Sequence, residues 1–179
     1  MRTSVYIAVS ADGFIARQNG DLDWLPGADG SDPDSIEDYG YKEFSASTDV
    51  LVMGRLSFEK ILTFGEWPYK DKKVVVLSSK PDNIPQALKD FVQWKNSSPP
   101  DLIKELSLQG FNHVYVDGGK TIQGFLFNGL VQQIILTKIP VLIGEGIPLF
   151  GPLAGDVLLK HIKTQSYPSG FVQTHYEVL

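Results

Sequence analysis

Three short apolar runs constrain this chain more than anything else in it, because each ends in the same kind of punctuation. Val50-Leu51-Val52-Met53 passes into Gly54-Arg55-Leu56-Ser57, Val74-Val75-Val76-Leu77 into Ser78-Ser79-Lys80, and Val114-Tyr115-Val116 into Asp117-Gly118-Gly119-Lys120-Thr121. In an open α/β sheet, ligands sit outside the carboxyl ends of the strands. Glycine lets the backbone approach a phosphate there, and a helix N-terminus presents free N–H groups to it. Arg, Ser and Lys gathered at one such edge suit a phosphorylated nucleotide. Three exits of this kind in succession point to a dinucleotide.

The rest of the chain fits a sheet with crossover helices. Further strand-like runs fall at Val5–Val9, Phe91–Trp94 and Ile134–Ile139, with β-rich segments around Leu158–Thr164 and Gln173–Val178. Asp32-Pro33 starts a helix carrying Ile36, Tyr39 or Tyr41, and Phe44, with proline where its missing N–H costs nothing. A short helix follows at Ser57–Leu62. Another runs from Pro99-Pro100-Asp101, burying Leu102, Ile103 and Leu106, and stops at Gly110. A fourth, Lys120–Asn128, sets Ile122, Phe125 and Leu126 on one face. Strands alternating with helices predict a mainly parallel sheet. The turn Tyr167-Pro168-Ser169-Gly170 predicts an antiparallel hairpin at its end. The Gly- and Asp-rich stretch Pro26–Asp34 reads as a surface loop near the site. With no repeat and no linker, residues 1–179 read as one domain.

Composition removes several classes of function. A net charge of −5 gives no reason to expect nucleic acid or an anionic membrane as partner. There is no cysteine, which excludes disulfides and thiolate chemistry and fits a reducing compartment. The chain enters a strand pattern at once, without the basic and apolar regions of a signal peptide, and no apolar run spans a bilayer. A cytoplasmic location follows as the expectation, which makes the sequon Asn96-Ser97-Ser98 irrelevant. The three histidines, His113, His161 and His175, are too scattered for a local metal site and read as surface or edge-strand residues.

Two motifs invite the wrong family. Gly118-Gly119-Lys120-Thr121 ends like a P-loop, but the required first glycine is Val114. Gly144-Glu145-Gly146 is no Rossmann fingerprint, because no third glycine follows and Pro148 blocks a helix. No Gly-x-Ser-x-Gly elbow supports a hydrolase. Arg55 and Lys80 together, with no acid at Ser78–Lys80, favour NADPH over NADH.

At these residues, with the opening Ser10-Ala11-Asp12-Gly13-Phe14-Ile15-Ala16 and the run Pro140–Phe150, the chain resembles the dihydrofolate-reductase-like superfamily, in the branch of the riboflavin-biosynthesis reductase domain. The resemblance covers almost the whole chain. It implies a three-layer α/β/α fold with a mixed, mainly parallel central sheet and an antiparallel C-terminal hairpin. It further implies an NADPH-dependent reductase, the prototype reaction being reduction of 5-amino-6-(5-phosphoribosylamino)uracil. By the same resemblance, Gly54, Arg55, Ser57, Ser78, Ser79, Lys80, Gly118, Gly119, Lys120 and Thr121 hold the cofactor phosphates and ribose, and Ala8, Gly13 and Ile15 border the nicotinamide. Trp24, Gly144 and Gly146 line the substrate side, drawn from Trp24–Tyr41 and Ile143–Phe150. Asp38 stands where folate reductases keep their catalytic carboxylate, supported by Thr137. A homodimer is the implied assembly, with a small molecule as substrate. Two rivals stand beside this reading: a dihydrofolate reductase, and a non-catalytic nucleotide-binding dimer.

Overall fold

The computed structural model describes residues 1–26, 37–80 and 83–179. An eight-stranded sheet forms its middle layer. In chain order the strands are β1 (Arg2–Ser10), β3 (Val50–Gly54), β4 (Lys73–Leu77), β5 (Val92–Lys95), β6 (His113–Asp117), β7 (Gln133–Ile139), β9 (Leu159–Ser166) and β10 (Val172–Val178). They lie side by side as β5-β4-β3-β6-β1-β7-β10-β9. Every pairing from β5 across to β7 is parallel, and β10 is antiparallel to both β7 and β9. The mainly parallel sheet and its C-terminal hairpin are as the sequence implies. A small antiparallel pair, β2 (Phe14–Ala16) with β8 (Ile147–Pro148), sits apart.

Strand alternation divides the core into two layers. Val50, Val52, Val114 and Val116 point to one face, where they meet Leu102 and Leu106 of α3 (Pro99–Leu108) and Ile122 and Phe125 of α4 (Gly119–Phe127). Leu51, Met53 and Tyr115 point to the other, against Phe44 of α1 (Tyr41–Ala46) and Phe58 and Ile61 of α2 (Arg55–Leu62). Both layers are dry: Val50, Val52, Leu51, Met53, Leu102, Ile122 and Phe125 are fully buried.

Helix ends follow their local chemistry. Ser98 caps α3 by accepting the Asp101 N–H, with prolines in the first turn. At its other end, Gly110 at φ 90° and the bond from Phe111 N–H to the Leu106 carbonyl close a Schellman turn. Gly129 ends α4 in the same way, with Leu130 N–H donating to the Phe125 carbonyl.

Some expectations move. The proposed helix start at Asp32-Pro33, with Ile36 and most of the Pro26–Asp34 loop, lies outside the described residues; the described helix there begins at Tyr41. His113 opens a central strand, half-buried, and its ring contacts Ser4 Oγ and the Ser47 carbonyl, both at 2.8 Å. His161 does lie on the edge strand. Among the described residues, no helix is long and apolar enough to cross a membrane.

Candidate active site

Strands β3 and β6 are hydrogen-bonded neighbours, yet the chain leaves them in opposite directions. Helix α2 leads from β3 outward to β4, and α4 leads from β6 past β1 to β7, on the opposite face of the sheet. This is a topological switch point, where the strand ends leave a crevice for a ligand. Both helices open on a glycine, Gly54 and Gly118, and neither has a side chain capping its first amides. Those N–H groups are therefore free to meet an anion.

The glycines are needed for close approach across the crevice. A Cβ on Gly54 would stand 2.8 Å from Thr121 Oγ1, and one on Gly119 would stand 2.9 Å from Ile15 Cδ1. Gly118 lies at φ 87°, and a Cβ there would run into Ser57 Oγ. Gly54, Ser57, Gly118, Gly119, Thr121 and Ile15 thus form one surface, as the sequence implies. Leu77 pairs with Gly54, so Ser78, Ser79 and Lys80 leave the sheet alongside. Ser78 Oγ accepts the Lys80 N–H at 3.1 Å and shapes that turn, leaving Ser79 and Lys80 exposed. Lys120 is exposed at the start of α4. Arg55 is ion-paired with Glu59, one helical turn on.

On the α1–α2 face of the same strand ends the lining is aromatic. Tyr41 meets Tyr6 and Tyr115 edge-on, and Phe44 meets Tyr115 edge-on and Tyr6 at a tilt of 31°. Asp117, the last residue of β6, carries the same parity as Tyr115 and is half-buried. Desolvation pushes its carboxyl up to about 6, against an opposing hydrogen bond from Gly118 N–H. Tyr69 and Tyr41 lie within its electrostatic reach, and burial raises both phenols. Asp117 is the functional candidate that motif reading passed over. The signal was an acid where a strand exit otherwise offers small residues.

No hydrogen bond joins Asp38 to Thr137. The Asp38 carboxylate accepts the N–H groups of Gly40 (3.0 Å) and Lys42 (2.9 Å), which tie it to the start of α1 and lower its pKa. Thr137 is buried on β7, where its hydroxyl accepts Gln173 Nε2 at 3.1 Å. The same amide reaches Tyr6 Oη and the Tyr39 carbonyl. Tyr6 also donates to that carbonyl at 2.7 Å, and burial lifts its own pKa to about 12. Tyr39 is the one non-glycine at positive φ (56°) among the described residues. These bonds hold that strained residue in place.

The remaining wall is built by loops. Trp24 is 5% exposed and packs with Ala8, Tyr39, Val141 and Ile143. Asp12 accepts from Ser10 Oγ (2.5 Å), Ile143 N–H (3.1 Å) and Gly144 N–H (2.8 Å), which lowers its pKa and staples the Ile143–Gly144 loop to the exit of β1. Gly13 turns at φ 90° and its carbonyl accepts Leu149 N–H. Gly146 lies so near the Ala16 carbonyl that no Cβ fits. The Ser-x-Asp-Gly spacing carries a turn signal that points to Asp12.

Fold and site together define an α/β protein in which two uncapped helix N-termini open at one switch-point crevice. The family is then specific: residues 4–173 match the RibD C-terminal domain, and the chain belongs to that family. YwjB of Bacillus subtilis is 32% identical over 178 residues, covering 98% of this chain and 97% of its own. A crystal structure of a putative riboflavin biosynthesis protein from Shewanella sp. PV-4 superposes with a TM-score of 0.92 at 37% identity, covering 100% and 99% of the two chains. A deaminase/5-amino-6-(5-phosphoribosylamino)uracil reductase from Thermotoga maritima shares the fold at a TM-score of 0.74 and 13% identity, over 99% of this chain and 56% of that one. The chain is a RibD-like reductase domain of the dihydrofolate-reductase-like fold.

Proposed function

We propose that this domain is an NADPH-dependent reductase acting on a planar C=N or C=O substrate. The observation that carries it is the pair of uncapped, glycine-opened helix N-termini meeting at the β3–β6 switch point. The residues fit a dinucleotide: Gly54, Gly118 and Gly119 pack so closely against Thr121, Ser57 and Ile15 that backbone, with two hydroxyls beside it, lines the crevice. Free amides at both helices take the pyrophosphate, and Lys80, with Arg55 released from Glu59, takes the 2′-phosphate. NADPH, when bound, supplies the hydride.

The chain supplies the proton and the pocket. Ile15, against Gly119, and Ala8, on β1, offer apolar surface beside the cofactor cradle. Asp117, with its carboxyl near 6, holds a proton across part of the physiological range and gives it to the substrate heteroatom as negative charge builds there. Gln173, through Tyr6, Thr137 and the Tyr39 carbonyl, fixes the wall opposite. A folate-reductase reading needs Asp38 and Thr137 in one constellation, and here each has a different partner. The absence of cysteine fits a cytoplasmic enzyme. We place a homodimer contact on β9, all eight residues of which are exposed.

The test is NADPH consumption against a panel of pyrimidine, pterin and carbonyl substrates, with Asp117→Asn beside the native protein. Turnover should fall by roughly a hundredfold or more in the variant, with NADPH binding kept. Full activity in the variant would remove Asp117 from the chemistry.

A further inference from the structure

The turn Ser78-Ser79-Lys80 is not held by its own hydrogen bonds alone. Strand β5 is the edge of the sheet and pairs with β4 in parallel, Val76 beside Trp94 and Leu77 beside Lys95. Trp94 is half-buried and packs against the core layer that includes Val76 and Phe58. Its indole N–H donates to the Ser78 carbonyl at 3.1 Å. The Ser78 N–H donates in turn to the Lys95 carbonyl at 2.9 Å. Both backbone groups of Ser78 are thus tied to β5, one by main chain and one by a side chain. The Ser78 hydroxyl closes onto the Lys80 N–H at 3.1 Å. With all three polar groups engaged, Ser78 fixes the direction in which Ser79 and Lys80 leave the sheet.

Charge gives that direction a consequence. Of the cations at these strand exits, Arg55 is paired with Glu59, and Lys95 with Glu105 of α3 at 2.6 Å. Lys80 is exposed and makes no ion pair among the described residues. A phosphate here meets Lys80 and the Ser79 hydroxyl as ready partners. A lysine is a point charge on a flexible stem, so the part of its placement that the fold controls is the backbone beneath it.

We propose that Trp94 is a positioning residue for cofactor choice. By holding the Ser78 carbonyl, it sets the Ser79–Lys80 turn against the 2′-phosphate and so favours NADPH over NADH. The inference rests on the reductase reading and on its placing of the 2′-phosphate at Lys80. The role lies in one hydrogen bond: phenylalanine at position 94 keeps an aromatic ring against the core and loses the N–H. The Ser78 carbonyl belongs to a half-buried residue, so water replaces the indole there and the fold loses little. The turn loses its fixed direction.

Native protein, Trp94→Phe, Lys80→Ala and the double variant are titrated by calorimetry with NADPH, NADH and adenosine 2′,5′-bisphosphate. NADPH and NADH differ only in the 2′-phosphate, so their ratio reads the turn and not the packing. Trp94→Phe should weaken NADPH and the bisphosphate roughly threefold to tenfold and leave NADH within about twofold. In the Lys80→Ala background the same change should cost NADPH less than about twofold, because the turn then carries no cation to place. Equal weakening of NADPH and NADH marks a packing role and overturns the proposal. So does an unchanged NADPH affinity in Trp94→Phe, or a full loss added to that of Lys80→Ala. A native protein that binds neither NADPH nor NADH overturns the reductase reading, and this inference with it.

Discussion

Asp117 shows how far one residue's surroundings reach. Its carboxyl titrates ordinarily at 3.8 and here at about 6. The folded state thus holds that proton more tightly than the unfolded chain. The stabilisation is complete below the ordinary value and is lost as pH rises through about 6, above which the buried charge opposes folding. Asp117→Asn should therefore raise stability near neutral pH by about 1–2 kcal/mol, and flatten thermal stability across that window. Asp12, Asp38 and Asp49 have the opposite sign. Their pKa values are lowered by hydrogen bonds, so their contribution is present above the ordinary carboxylate value and is lost as acid protonates them. Glu59 makes a second residue-scale case. It competes for Arg55, the cation proposed for the cofactor 2′-phosphate. Glu59→Gln should tighten NADPH binding roughly threefold to tenfold, with little effect on NADH, read by nicotinamide fluorescence.

At the scale of elements, turns decide more than helices. Gly118 combines a positive φ with a closely approaching Ser57, so Gly118→Ala strains the backbone and displaces the Ser57 hydroxyl together. Chemical denaturation should show a loss of about 1–3 kcal/mol, and cofactor binding should fall with it. The strand–helix alternation and the three exits were legible in sequence because apolar runs and glycines act locally. The β2–β8 pair was not. It joins three residues to two across more than a hundred positions, and strands so short leave no periodicity. Likewise Asp38 gave a helix-start pattern and an alignment position together. Only geometry separates capping Gly40 and Lys42 from facing a substrate. Asp117 stood in the third strand-exit motif without a role of its own, because burial at a strand end is a tertiary property.

Across the whole molecule, the parallel core is covered on both faces by helices, while the hairpin β9–β10 extends beyond them. All of β9 is exposed, including Leu159 at 41% and Ile162 at 53%, with Leu158 beside it at 66%. Apolar surface of this kind on a sheet edge calls for a covering partner. Light scattering should return a mass of twice 19.8 kDa, and Ile162→Lys should halve it.

The switch-point crevice is what the rest of the account depends on, and direct titration of the purified protein with NADPH and NADH tests it. Enhanced nicotinamide fluorescence and a raised melting temperature with NADPH, and a much weaker response to NADH, are the expected result. No response to either would contradict the account, because the glycine-opened helices would then hold no dinucleotide.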